Sequence, residues 1–220
     1  MDSEELELRR EIIAQCRWMN ANALNQGTSG NISARCRDRM LITPSAVPYD
    51  DMTPEMIAAM PLDRATDEWQ GPLKPSTEWR FHRDILRARP DGAAVVHTHA
   101  NYCTILAIAR KSIPAIHYMI AAFGGPEIRC APYARYGTQA LSDNVLVALE
   151  NRNGCLLANH GMITVGSSLP KAMWLANELE CLARQYYHSL LIGTPFILPD
   201  QEIAEVMESF KSYGLQDKKD

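Results

Sequence analysis

Ala93-Ala94-Val95-Val96-His97-Thr98-His99 is the stretch on which the reading of this chain turns. It is apolar, short and closed by two histidines, and it predicts a buried strand. Side chains alternate faces along a strand, so His97 and His99 project to the same side, about 6.5–7 Å apart along the backbone. Two imidazoles on one face at a strand end can grip one metal ion. A bare His-x-His also fits two packed or exposed histidines, and a buried imidazole then needs hydrogen-bond partners.

Helical and extended patterns alternate irregularly around that strand. Residues 4–23 carry Leu6, Leu8, Ile12, Ile13, Cys16, Met19 and Ala23 at helical spacing, with Asn25-Gln26-Gly27 as the stop. Residues 32–35 and 40–43 read as a hairpin. Thr53-Pro54-Glu55 reads as a helix start, and the polar stretch 61–73 holds one or two short strands at most. Pro75-Ser76-Thr77-Glu78 opens a helix that Pro90 stops. Further helices are expected over 101–110, 138–150 (Thr138 as cap), 169–191 and 201–210, with strands at 128–131, 154–158 and 162–165. No regular βαβ alternation appears, so the expected fold class is α/β with a central mixed or antiparallel sheet covered by helices, in one domain.

The 220 residues suit one such domain, and 46% hydrophobic with 22% charged residues is the balance of a packed globule. A net charge of −4 gives no basic field for nucleic acid or an anionic membrane. No apolar run is long enough to span a bilayer. The acidic start Met1-Asp2-Ser3-Glu4-Glu5 lacks a signal-peptide pattern, which makes the cytoplasm the expected compartment. Six scattered cysteines form no Cys-x-x-Cys pair and read as reduced thiols, mostly in the core.

His160, in Asn159-His160-Gly161, is a third candidate ligand at a strand end, where glycine lets the backbone turn sharply. Three imidazoles with one open position make a catalytic rather than a structural zinc set. Glu78 reads first as an acidic residue complementing a helix dipole. Ser76, Thr77 and the free N–H groups of that helix start suit a phosphate, and Thr28-Ser29-Gly30-Asn31 and Ser45-Ala46 are further donor-rich loops. His82 and His188 read as surface or packing residues, and His117 is open. No Walker A, Gly-x-Gly-x-x-Gly or Gly-x-Ser-x-Gly pattern occurs, and no lysine lies in an apolar strand.

Several ordered segments then carry a likeness: Leu24-Asn25-Gln26-Gly27-Thr28-Ser29-Gly30-Asn31, Leu41-Ile42-Thr43-Pro44-Ser45, Ser76-Thr77-Glu78-Trp79-Arg80-Phe81-His82, Val95-Val96-His97-Thr98-His99, Ser112-Ile113-Pro114-Ala115-Ile116-His117-Tyr118-Met119-Ile120, Cys130-Ala131-Pro132-Tyr133-Ala134 and Asn159-His160-Gly161. The chain resembles the class II aldolase/adducin family from its first helix through Phe210-Lys211-Ser212-Tyr213-Gly214-Leu215. The resemblance implies one αβα domain over 1–220 with a mainly antiparallel sheet and a candidate mobile tail at 206–220. It implies a homotetramer of fourfold symmetry with sites between subunits.

By motif match it makes His97, His99, His160 and Glu78 the ligands of one Zn²⁺ per subunit, Mn²⁺ or Co²⁺ being alternatives. Glu78 would also be the acid/base. Gly30, Asn31, Ser45, Ala46, Ser76 and Thr77 fall on phosphate positions. Tyr118 matches a catalytic tyrosine that reaches a neighbouring site, and Tyr136, Phe210 and Tyr213 fall at the aldehyde end. The implied reaction is reversible cleavage of a ketose 1-phosphate, of the L-fuculose 1-phosphate kind, into dihydroxyacetone phosphate and a short aldehyde such as L-lactaldehyde.

Four positions depart from the pattern of the family's sugar-phosphate aldolases. Ala46 stands for Gly, Thr77 for Ser, Asn159 for a second His and Tyr136 for Phe. The resemblance leaves other readings beside the first: a 5-deoxyribulose or methylthioribulose 1-phosphate aldolase, a pentulose-phosphate 4-epimerase, a thio-pentulose 1-phosphate dehydratase, or an adducin-like module without a metal. The filled ligand positions argue against the last.

Overall fold

The computed structural model of the chain describes residues 1–64 and 66–211. In chain order the elements are α1 (Ser3–Ala21), β1 (Asn31–Cys36), β2 (Arg39–Ile42), β3 (Ala58–Pro61), α2 (Trp79–Ala88), β4 (Ala94–Thr98), α3 (Asn101–Ile108), β5 (Ile113–Pro114), β6 (Glu127–Ile128), β7 (Cys130–Ala131), α4 (Gln139–Ala148), β8 (Gly154–Leu157), β9 (Gly161–Gly166), α5 (Leu169–Ile192) and α6 (Asp200–Phe210). Seven strands form one sheet in the order β3-β2-β1-β4-β9-β8-β7, and β5 pairs with β6 apart from it. Every pairing in the large sheet is antiparallel except β7 on β8.

The period-2 pattern sorts the sheet into two faces. Ala94 and Val96 of β4, Leu156 of β8 and Met162 of β9 pack in one buried cluster with side chains of α1, α3 and α5. Their neighbours Val95, Cys155, Leu157, Ile163 and Val165 join the opposite cluster, with Phe81, Ile85 and Leu86 of α2 and Leu141 and Val145 of α4. Each large apolar side chain so buried contributes about 1.5–3 kcal/mol relative to leaving it in water. His97 follows the parity of Val95 and therefore faces α2. Residues of β4, the central strand, are thereby committed to both cores, and its last positions are fixed in space.

Local chemistry sets the helix starts. Asp2 accepts the Glu5 amide at 3.0 Å, Thr138 that of Leu141 at 3.3 Å, and Ser168 that of Lys171 at 3.2 Å. Arg9 is buried on α1, where it pairs with Glu5 at 2.6 Å and donates to the Pro54 carbonyl at 2.9 Å. That anchors the segment that leads into β3.

Two expectations need correction. Thr53-Pro54-Glu55 opens only a single 3₁₀ turn, Pro54–Met56, because the next residues are claimed as the edge strand β3 against β2. That strand begins ahead of the polar stretch where strands were sought. The expected strand at 128–131 is two pieces, since β6 pairs with β5 while β7 pairs with β8. In both cases pairing partners distant in sequence override local propensity. Among the described residues no helix is long and apolar enough to cross a membrane.

Candidate metal centre and substrate cleft

His97, at the end of β4, is fully buried, and its Nδ1 lies 2.9 Å from the Met162 carbonyl of β9. A carbonyl only accepts, so Nδ1 carries the proton and Nε2 is left with its lone pair. His99 follows β4 by one residue and keeps the parity that the sequence predicts; the two ring centroids are 5.1 Å apart. His160 comes from the turn between β8 and β9. Its ring centroid is 4.8 Å from that of His97 and 4.9 Å from that of His99. One nitrogen from each of the three rings lies within 4.8 Å of the others.

The turn works differently from the expectation. Asn159, not the glycine, takes the left-handed conformation, at φ 56°. Gly161 is required by close approach: a Cβ there would lie 2.4 Å from the Thr98 carbonyl oxygen and 3.0 Å from His99 Cδ2. The missing side chain lets β9 run against the end of β4 and brings His160 to its partners.

Glu78 immediately precedes α2 and does not cap it. Its role as a dipole partner is replaced by contact with the histidines: Oε2 lies 3.2 Å from Nε2 of His97, and Oε1 lies 3.3 Å from Nε2 of His160. Burial alone would raise this carboxyl; the pull of His97 and His160 when those rings carry a proton and the Asn31 amide bond outweigh it and hold it well below the usual carboxylate range. Burial, reinforced by His97, pushes His99 down to about 4 and His160 down to about 3, so both rings are neutral near pH 7.

The result is a set of lone pairs facing one another. Glu78 Oε1, His97 Nε2 and His99 Nε2 are buried with no hydrogen-bond partner. Burying such acceptors unpaired costs roughly 1–3 kcal/mol each. A cation in their midst satisfies all of them, and three neutral nitrogens with one carboxylate are the donor set that a divalent zinc-type ion prefers. The residues fit the group.

A cleft of about 290 Å³ opens on these residues, lined by Thr77, Glu78, His99, Tyr133, Ala134, Tyr136, Asn159 and His160. Tyr136 is therefore brought to the site, with Tyr133 beside it. Tyr133 is a site residue that the sequence reading misses, because its neighbours give no chemical pattern that marks it. Arg80 donates to the Gly137 carbonyl at 2.9 Å and ties the Tyr136 loop to α2.

The six candidate phosphate residues lie on three adjoining loops. Gly30 and Asn31 open β1, and Ser45 and Ala46 follow β2. Pro44 and Pro75 form an isolated antiparallel bridge, with Ser45 N–H donating to the Lys74 carbonyl at 3.0 Å and Ser76 N–H to the Thr43 carbonyl at 2.9 Å. Ser76 and Thr77 are thus held beside Ser45. Gly30 admits no side chain, since a Cβ would lie 2.8 Å from both Asn25 Oδ1 and the His97 carbonyl oxygen. Asn31 uses its side chain elsewhere: Nδ2 donates to Glu78 Oε2 at 3.0 Å, and Oδ1 lies 2.5 Å from His82 Nε2. His82, expected at the surface or in simple packing, is fully buried in this network.

Tyr118 and Phe210 lie in another place. Half exposed, Tyr118 packs its ring 6.5 Å from that of Phe210, and both line a second cavity with Lys171 and Trp174. Tyr213 lies outside the described residues. The open question of His117 is answered by its Nδ1, which accepts the Met119 amide at 3.2 Å and caps the 3₁₀ turn Tyr118–Phe123. His188 is exposed, as expected. All six cysteines are free, four of them buried.

Residues 10–187 match the model of the class II aldolase and adducin N-terminal domain. The L-fuculose phosphate aldolase of Escherichia coli K12 is 50% identical over 214 residues, covering 97% of this chain and 98% of that protein. A 5-methylthioribulose-1-phosphate/5-deoxyribulose-1-phosphate aldolase of Rhodospirillum rubrum is 48% identical, over 97% of this chain and 96% of its own. A solved structure of an L-fuculose 1-phosphate aldolase superposes with a TM-score of 0.89 at 36% identity, covering 96% of this chain and 98% of that one. The chain belongs to the class II aldolase/adducin family, and to the aldehyde-lyase side of it.

Proposed function

We propose that this protein is a zinc-dependent aldolase that reversibly cleaves a ketose 1-phosphate, of the L-fuculose 1-phosphate kind, into dihydroxyacetone phosphate and a short aldehyde such as L-lactaldehyde. The observation that carries the reading is the convergence of His97, His99, His160 and Glu78 beside an open cleft, with Glu78 Oε1, His97 Nε2 and His99 Nε2 buried and without hydrogen-bond partners. Those four residues would hold the ion. When bound, it supplies Lewis acidity against the negative charge that develops beside the substrate carbonyl.

The chain's own groups do the rest. Gly30, Ser45, Ala46, Ser76 and Thr77 bind the phosphate through backbone N–H and hydroxyl groups, and that binding energy orients the reacting carbons. Glu78 moves the proton at C3, and solvent exclusion around it raises its proton affinity toward the useful range. The C4 oxygen needs a second proton carrier. Tyr118 supplies it from a neighbouring copy in a homotetramer, with Phe210 and Tyr213 at the aldehyde end. Support for this arrangement is that Tyr118 and Phe210 line a cavity other than the cleft of their own chain.

A second reading keeps the chemistry and changes the aldehyde to that of 5-deoxyribulose or methylthioribulose 1-phosphate. The 48% identical relative carries that name, and two exposed tyrosines at the cleft suit an apolar aldehyde tail. Incubating the zinc-loaded protein with dihydroxyacetone phosphate and a panel of aldehydes tests both. Condensation with L-lactaldehyde above the others supports the first reading. Preference for a thioether aldehyde or acetaldehyde supports the second, and no condensation with any aldehyde sinks both.

A further inference from the structure

We propose that His82 is a positioning residue: acting through Asn31, it fixes the direction of the hydrogen bond that holds Glu78. The inference rests on the aldolase reading for its consequence in turnover, and on geometry alone for its chemistry. His82 sits on α2 and is fully buried, stacked on Phe81 with ring centroids 4.7 Å apart. Its two nitrogens are both in contact: Nδ1 lies 2.7 Å from Ser33 Oγ, and Nε2 lies 2.5 Å from Asn31 Oδ1. Asn31 in turn donates Nδ2 to Glu78 Oε2 at 3.0 Å.

The polarity of this chain is set from its charged end. A carboxylate only accepts, so Asn31 must present its amide N–H₂ to Glu78 and its carbonyl to His82. A carbonyl also only accepts, so His82 carries its proton on Nε2. Nδ1 is then an acceptor, and the Ser33 hydroxyl donates to it. Burial pushes the His82 ring down to about 3, which keeps it neutral with a single N–H to assign.

Every member has one role, and reversing any of them places two acceptors in contact beside the carboxylate. The chain therefore keeps Asn31 from flipping. It leaves Glu78 with a fixed donor on Oε2 while Oε1 faces His160. The same donor keeps the carboxylate in line for its work on substrate.

The test begins with the ring itself. Nitrogen-resolved NMR of labelled, metal-free protein at pH 7 is expected to show a neutral His82 protonated at Nε2 only; an Nδ1–H tautomer or an imidazolium overturns the proposal. His82→Phe keeps the stacking and removes both hydrogen bonds. It is expected to lower kcat by about tenfold to a hundredfold, with KM within about twofold, and to weaken Zn²⁺ in chelator competition by about tenfold. His82→Gln, which retains a donor and an acceptor, is expected to recover most of each loss.

Should His82→Phe fail to fold, Ser33→Ala serves: the Nε2–H tautomer is then expected to persist, because the Asn31 carbonyl still demands it, and a switch to Nδ1–H overturns the proposal. Equal losses in His82→Phe and His82→Gln, or none in either, overturn the proposal. A wild-type protein that condenses no aldehyde sinks the aldolase reading alone, because the tautomer and the Zn²⁺ competition still decide whether His82 directs Glu78.

Discussion

Glu78 Oε2 and His97 Nε2 stand 3.2 Å apart across the gap between the start of α2 and the end of β4. The Met162 carbonyl takes the proton on His97 Nδ1, so in the neutral ring Nε2 turns its lone pair toward the carboxylate. Two acceptors in contact are relieved by a cation between them, and the His99 and His160 nitrogens close by make that place fit a metal ion.

Glu78→Gln keeps three nitrogen ligands and loses the group that moves the proton. Ion content after dialysis is expected to stay near one per chain, while kcat falls by about 10²–10⁴. Steady-state kinetics with parallel metal analysis checks this; unaltered turnover removes the acid/base role.

His97→Ala is expected to lose the ion. Adding Zn²⁺ to the apo wild type should raise Tm, by the equivalent of about 2.7 kcal/mol at a hundredfold excess over Kd. The variant should show no such rise. A variant that melts with the full Zn²⁺-dependent shift strikes His97 from the ligand set.

The buried His82 ring makes stability depend on pH. Burial holds its folded pKa at about 3, below the ordinary imidazole value of 6.5 that the unfolded chain keeps. The unfolded state therefore takes up the proton first, and stability is full above about 6.5 and lost as pH falls toward 3. The slope for this one ring is about 1.4 kcal/mol per pH unit. Urea melts of chelated protein at pH 7, 6 and 5 are expected to show it, with His82→Gln shallower by one proton; parallel slopes contradict the assignment.

Ala46 holds φ 58°, a left-handed conformation that favours glycine. That strain costs about 1–2 kcal/mol, against about 0.5–1 kcal/mol of extra chain entropy for glycine in the unfolded state. Ala46→Gly is expected to stabilise the protein by about 0.5–1 kcal/mol in urea unfolding. A loss of stability shows that the loop has another way to relax.

If Tyr118 serves a neighbour, two inactive variants complement each other. Subunits of Glu78→Gln and Tyr118→Phe, unfolded together and refolded, are expected to regain about a quarter of wild-type activity, since one site in four draws both wild-type groups. No recovery means that both groups act from the same chain.

Much was legible before any coordinates. The parity of Val95 and His97 already placed the two histidines together on one face, because alternation is a local property of a strand. The hairpin 32–43, the caps at Thr138 and the long helix before Ile192 follow from chemistry within a few residues. The fate of Thr53-Pro54-Glu55 was not legible, because β2 and not the local sequence decides it. Nor was His82, whose neighbours Phe81 and Arg83 say nothing of Ser33 and Asn31 on a strand far back in the chain.

Sequence by itself determined the residue types that can hold a cation, their spacing on β4 and the family to which they belong. Only the tertiary structure decided that Glu78 turns from its helix to the histidines, that Asn31 serves Glu78 and His82, and that Tyr118 stands apart from the cleft. The reason is physical: side-chain facing within one element is set by backbone periodicity, whereas the meeting of α2, β1 and the β8–β9 turn is set by packing between segments that share no local code.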